Sequence, residues 1–157
     1  LLEDPIPAVR AAAVISLGEL NTSDSIETLK KMLRDGNPAV RAAAISAWLH
    51  RGTSYEDVAA SVQELIQNPD PGIRATAARA LGKSRDHDAI ETLGLLLDDQ
   101  VPRPRIAAAR ALGHIGGETV VPILKKTLHD GDEAVRATAG GALARVLSSN
   151  DKPLKKK

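Results

Sequence analysis

The stretch DGNPAVRAAA, residues 35–44, decides how the chain is read, because it returns four more times around one fixed residue. DPIPAVRAAA (4–13), NPDPGIRATA (68–77), DQVPRPRIAAA (99–109) and DGDEAVRATA (130–139) put Arg10, Arg74, Arg105 and Arg136 in register with Arg41, at spacings of 31, 33, 31 and 31 residues. A period of this length marks a stack of small supersecondary units. Three residues before each Arg stands Pro7, Pro38, Pro71, Pro102 or, last, Glu133; six before it stands Asp4, Asp35, Asn68, Asp99 or Asp130. Proline suits the first helical position, where its missing N–H has no intrahelical partner, and Asn37, Asp70 and Asp132 just ahead are good caps. The pattern predicts a helix, B, running through RAAAVISLG (10–18), RATAARALG (74–82) and RIAAARALG (105–113), loosened or ended by Gly18, Gly82 and Gly113.

Ahead of each B helix, Ile26, Leu29 and Leu33, then Ile90, Leu93 and Leu97, then Val121, Leu124 and Leu128 recur at spacings of three and four, the signature of one helical face. Asp24 with Glu27, and Asp88 with Glu91, read as capping boxes at the start of this helix A. A hairpin of two short helices cannot bury its own apolar stripe, but stacked hairpins share a continuous core in which each unit touches only its neighbours. The second unit departs from the pattern: Leu49 stands where the Gly is elsewhere, and HRGTSYEDV (50–58) lengthens the link before Val58, Val62, Leu65 and Ile66. A local bend or a longer loop is expected there. The expected architecture is all-α, an α-α superhelix of about five hairpins with the first truncated. It forms a single solenoid over 1–148 (repeats about 1–20, 21–51, 52–84, 85–115 and 116–148), followed by a disordered basic tail over 149–157.

Composition agrees with helix on helix. The 43% apolar share contains no Phe, one Trp and one Tyr, so a core must come from close approach of Ala, Leu, Val and Ile. Lys plus Arg is 21 against 20 for Asp plus Glu, without the basic excess of a dedicated nucleic-acid binder. The absence of Cys removes disulfides, thiolate zinc sites and a cysteine nucleophile. No apolar run reaches the roughly 18 residues of a membrane span, and the first residues carry no signal-peptide pattern. The expected location is the cytoplasm.

With D-x-x-P-x-V-R-x-x-A-x-x-A-L-G on the page at a 31-residue period, the chain resembles the short HEAT repeats of the phycobilin-lyase (PBS lyase) type over nearly its whole length. That superfamily includes scaffolds, lyase subunits, a metal-dependent hydroxylase and domains appended to larger proteins, so the resemblance implies a fold and not one function. It also implies a ladder between neighbouring repeats, made here by Asp4, Asp35, Asp99 and Asp130 with Arg10, Arg41, Arg74, Arg105 and Arg136. Asn68 breaks the acidic series and weakens one rung. By the same resemblance the B helices line the concave surface.

Counting 100° per residue from each Arg divides helix B into faces. Leu17, Trp48, Leu81, Leu112 and Leu143, seven past the Arg, mark the core, flanked by Ala13, Ala44, Ala77, Ala108 and Ala139. The opposite side carries positions two before, and two, five and nine after. The fifth position reads Ile15, Ser46, Arg79, Arg110, Gly141, and the ninth reads Glu19, His50, Lys83, His114, Arg145, with Arg103 on the same side. A column grows basic from the middle of the chain. Its members Ser46, His50, Arg79, Lys83, Arg103, Arg110, His114 and Arg145 are the expected partner-binding strip, since Arg grips carboxylate or phosphate bidentately. The bland alternative is a solvated face, which is also the reading of Lys30, Lys31, Lys125 and Lys126 on helix A.

No catalytic residue, metal site or cofactor is expected. His50, His87, His114 and His129 form none of the His-Glu pairs used by the hydroxylase relatives; His87-Asp88 and His129-Asp130 fall at turns. There is no Gly-rich phosphate loop, nucleophile elbow or paired-carboxylate site. Trp48 falls in the Leu column and reads as core, whereas Tyr55, in the irregular link, reads as the better exposed aromatic. Leu1 and Leu2 alone stand where the first helix A belongs, which leaves one end uncapped and is read as a segment of a larger multidomain protein or an end-to-end dimer. The expected function is a non-catalytic scaffold for a protein or peptide partner, acidic in character. Nucleic-acid or anionic-ligand binding through the basic groove is the first alternative, and a phycobilin-lyase-like subunit the second.

Overall fold

A computed structural model describes residues 1–20, 22–84 and 87–150. Among them are nine α-helices and no strand: α1 (Pro7–Gly18), α2 (Ser23–Met32), α3 (Pro38–His50), α4 (Ala59–Ile66), α5 (Pro71–Leu81), α6 (His87–Leu97), α7 (Pro102–Ile115), α8 (Val120–Thr127) and α9 (Glu133–Asn150), with a 3₁₀ turn at Glu56–Val58. The odd-numbered helices are the B helices, and every one begins at the Pro or Glu three residues before its Arg. Asn37 Oδ1 accepts from Ala39 N–H at 2.9 Å, Asp70 Oδ1 from Gly72 N–H at 2.7 Å and Asp132 Oδ1 from Ala134 N–H at 2.9 Å, so three starts carry a side-chain cap.

The A helices start differently from the expected boxes. α2 is capped by Thr22, whose hydroxyl accepts from Ser25 N–H while Ser25 Oγ accepts from Thr22 N–H, and Asp24 sits inside the first turn. α6 opens at His87, placing Asp88 likewise in its first turn, where its charge suits the helix dipole. α9 runs to Asn150, past the expected end of the solenoid at 148; residues 151–157 of the basic tail lie outside the described residues.

The core is one continuous cluster. Leu29, Leu33, Val62, Leu65, Leu93 and Leu124 from the A helices meet Trp48, Leu81 and Leu112 from the B helices, while Leu17 and Leu143, at the two ends of the stack, are partly buried. Each fully buried Leu contributes roughly 1.5–3 kcal/mol. B helices pack most extensively on their successors, α1 on α3, α5 on α7 and α7 on α9.

The repeated glycine explains that closeness: α1 ends at Gly18 and α5 is capped by Gly82, as expected, and at all three places the glycine also admits the next B helix. α7 continues through Gly113 to Ile115, and a Cβ built on Gly113 would lie 2.6 Å from Ala142 Cβ in α9. Gly18 faces Ala47 Cβ at 2.7 Å and Gly82 faces Ala111 Cβ at 3.1 Å. Each Gly is the point where one B helix crosses an Ala of the next. Leu49 occupies this position in α3 and is buried, and α3 packs less extensively on α5 than the other successive B helices do on each other. The longer link there forms a loop with Gly52 at φ 75°, followed by the 3₁₀ turn. Tyr55, expected on the surface, is only 5% exposed: its ring joins the core and its hydroxyl lies 2.7 Å from Thr92 Oγ1. Thr92 Oγ1 donates its own hydrogen to Asp88 O, so Tyr55 is the donor between them.

The register residues form a second, polar seam. Arg10, Arg74 and Arg105 each place Nε and Nη2 on both oxygens of the acid 25 residues ahead, Asp35, Asp99 and Asp130, at 2.6–2.9 Å. Their Nη1 atoms turn back to the carbonyls of Asp4, Asn68 and Asp99, six residues earlier. Each of the three acids also accepts the N–H two residues on, tying its loop into a tight turn. Arg41 keeps the backward bond, to Asp35 O at 2.8 Å, but Asn68 offers no carboxylate ahead of it. Its Nε is buried without a hydrogen bond among the described residues, and Glu64 Oε2 stands 3.9 Å away on a largely exposed side chain. Asp4 and Arg136 stand at the ends: the Asp4 carboxylate takes Ile6 N–H, and Arg136 bonds to the carbonyls of Asp130 and Gly131.

Candidate interaction groove

The fifth and ninth positions of the B helices are exposed at Ile15, Glu19, His50, Arg79, Lys83, Arg110, His114, Gly141 and Arg145, and half-buried at Ser46. The second position is exposed at Ala12 but elsewhere is not free as expected: Ala107 is buried, and Ala43, Thr76 and Thr138 are partly so. Arg103, two before its Arg, is exposed and reaches back over α5, where a Cβ on Gly72 would lie 3.1 Å from its Nη1.

These side chains feel one another. The Arg79 guanidinium has its pKa pushed down by partial burial and by the charges of Arg103 and Arg110. The His114 imidazole is pushed down by partial burial, then by Arg145, Lys83 and Arg110. Six cationic or protonatable groups from three successive repeats therefore share one field, and among the described residues none of them pairs with a carboxylate. Arg79 Nη2 has a local bond, donating to Thr76 Oγ1 at 2.5 Å.

Between α5 and α7 the surface opens into a groove of about 730 Å³, bounded by Arg79, Lys83, Arg110 and His114. Two further hollows continue it past His50 toward Ile15 and Glu19, and Lys83 borders all three. Ser46 and His50 thus lie in the part belonging to the first two repeats, which meets the cationic cluster at Lys83. The groove's end walls were not readable from register positions: Ser84 after α5, and Gly116, Gly117 and Thr119 between α7 and α8, sit in loops outside the periodic columns. Gly116 and Gly117, at φ 71° and 85°, allow the sharp turn there. Among the described residues there is no group of three or more His, Asp and Glu placed to hold a metal, and no helix is long and apolar enough to cross a membrane.

The family model for HEAT repeats matches residues 1–54, 47–105 and 95–154. This chain belongs to the HEAT-repeat family. No curated protein is significantly similar in sequence. Among solved structures, a chain of the complex of CpcE and CpcF of phycocyanin lyase from Nostoc sp. is similar at TM-score 0.62 and 24% identity, over 94% of this chain and 62% of that one. This HEAT-repeat chain therefore spans less than two thirds of that lyase chain. Human deoxyhypusine hydroxylase in complex with glycerol is similar at TM-score 0.54 and 16% identity, covering 94% and 82% of the two chains. An engineered protein follows at 0.53 and 22%, covering 94% and 77%. At these identities the likeness is one of fold.

Proposed function

We propose that this HEAT-repeat protein is a non-catalytic scaffold that binds a partner protein through the B-helix face, using the groove between α5 and α7 together with the cations beside it, Arg103 of α7 and Arg145 of α9. The observation that carries this reading is the cluster of Arg79, Lys83, Arg103, Arg110, His114 and Arg145, held together without a carboxylate partner among the described residues. Like charges are costly to gather, and an acidic ligand relieves that cost. Arg79→Glu with Arg110→Glu should abolish capture of poly-glutamate by the immobilised protein; capture unchanged by the pair of substitutions rules the groove out.

Nucleic acid is the weaker reading for the same groove. Single strands are gripped by stacking bases on exposed aromatic rings, and here Trp48 and Tyr55, the two aromatic residues, are 4% and 5% exposed. Binding to DNA or RNA that weakens steeply with salt would favour it. A lyase-like subunit is favoured only by likeness to the phycocyanin-lyase chain. A spectral change on incubation with a tetrapyrrole would support that role, and none is expected.

A further inference from the structure

The scaffold reading leaves open what form of acidic segment fits, and the helix spacing narrows it. The three B helices that carry the cations, α5, α7 and α9, are also joined by two successive Gly-on-Ala crossings, Gly82 on Ala111 and Gly113 on Ala142. Such contacts let packed helices approach within the usual ~8–10 Å separation, and here they occur twice in succession. The cations follow the same interval: Arg79 and Lys83 on the α5 unit, Arg110 and His114 on α7, Arg145 on α9. A polyproline-II segment has three residues per turn and advances about 3.1 Å per residue, so residues three apart share one face and lie roughly one helix separation apart.

We infer that the groove and the cations beside it take a segment of a partner protein in the polyproline-II conformation whose Glu or Asp residues recur at every third position, each meeting the cations of one B helix. The inference rests on the scaffold reading. Gly141, at the fifth position of α9, leaves open space beside Arg145, so the third rung is a single cation. Toward the other end the register stops. Leu49 replaces the spacing Gly between α3 and α5, His50 and Ser46 replace the Arg and Lys pairs, and Glu19 with the exposed Ile15 would repel a further carboxylate.

The test uses the full chain and labelled synthetic peptides about a dozen residues long, in fluorescence anisotropy. One carries three Glu at every third position; the other has the same composition with the three Glu adjacent. The spaced peptide should bind about ten-fold tighter, an effect of simultaneous engagement and not of net charge. Arg145→Gln should then cost the spaced peptide affinity only when one particular terminal Glu is present, a coupling read from a double-mutant cycle. Binding should also raise the pH at which the His114 ring titrates by NMR, because a carboxylate offsets the neighbouring cations. Equal affinity of the two peptides, or equal coupling of Arg145 to all three Glu residues, overturns the register while leaving an acidic-segment scaffold standing. No binding of either peptide or of poly-glutamate overturns both. An oligonucleotide of equal charge that binds more tightly than the spaced peptide overturns the choice of polypeptide.

Discussion

Arg41 shows what one missing oxygen does. Its neighbours Arg10 and Arg74 each hold a carboxylate with two bonds, while Arg41 has a buried Nε with no hydrogen-bond partner among the described residues, because position 68 is Asn. Asn68→Asp should add the acceptor and keep the turn bond its Oδ1 now takes from Asp70 N–H. The expected gain is about 1 kcal/mol, or a rise in Tm of roughly 2–4 °C for a chain of this size, read by urea and thermal unfolding. No change in either would mean that Arg41 is already satisfied by solvent or by Glu64. Tyr55→Phe removes the hydroxyl that donates to buried Thr92 and should cost about 1 kcal/mol in the same assay, with helix content unchanged by circular dichroism. The weak rung was legible, since Asn68 interrupts an otherwise acidic series. The burial of Tyr55 was not, because its partner lies 37 residues away in an A helix and a loop aromatic carries no periodic signal. Thr22 was hidden behind Asp24 and Glu27 for a related reason: several polar residues near a helix start compete as caps, and geometry picks one.

At the level of helices, the starts of the B helices were legible and their crossings were not. A proline at the first position has one physical reading, and every B helix begins at its Pro or Glu. A glycine eight residues past the Arg has two, stopping a helix or admitting a neighbour, and only packing separates them. Gly113→Ala isolates the second. The substitution raises helix propensity by about 1 kcal/mol, yet its methyl would lie 2.6 Å from Ala142 Cβ, and overpacking of this kind costs typically 1–3 kcal/mol. Net destabilisation is expected in urea unfolding, and Ala142→Gly in the same chain should recover part of it by vacating the space. Destabilisation that Ala142→Gly leaves untouched would show the crossing is not the cause. The same distinction governs the groove: its cationic column follows the B-helix period and was legible, whereas Ser84, Gly116 and Gly117 bound it from loops whose course depends on how neighbouring repeats meet.

Across the whole molecule the rungs act together when the pH falls. The guanidinium of Arg10, Arg74 or Arg105 holds the Asp35, Asp99 or Asp130 carboxyl below the usual carboxylate range, with turn N–H bonds adding to the effect against partial burial. A group whose pKa is lowered by folding contributes stability above its unfolded value, about 3.9 for Asp, and loses it as pH falls through the lower folded value. Stability should therefore hold level down to about pH 4 with respect to these groups and drop below it. Asp99→Asn should be less stable at neutral pH and lose less on acidification, measured by urea unfolding at successive pH values. Parallel acid profiles for the variant and the parent would remove the rung at Asp99 from that account.

Load applied along such an array is shared unevenly. Bidentate clips join α1 to the turn before α3, α5 to the turn before α7, and α7 to the turn before α9, and each of those pairs is also locked by a Gly seated on an Ala. The joint between α3 and α5 has neither device. Pulled from its ends, the chain is a spring with one soft coil, and tension would part it there first, leaving the cationic groove on the stiffer piece.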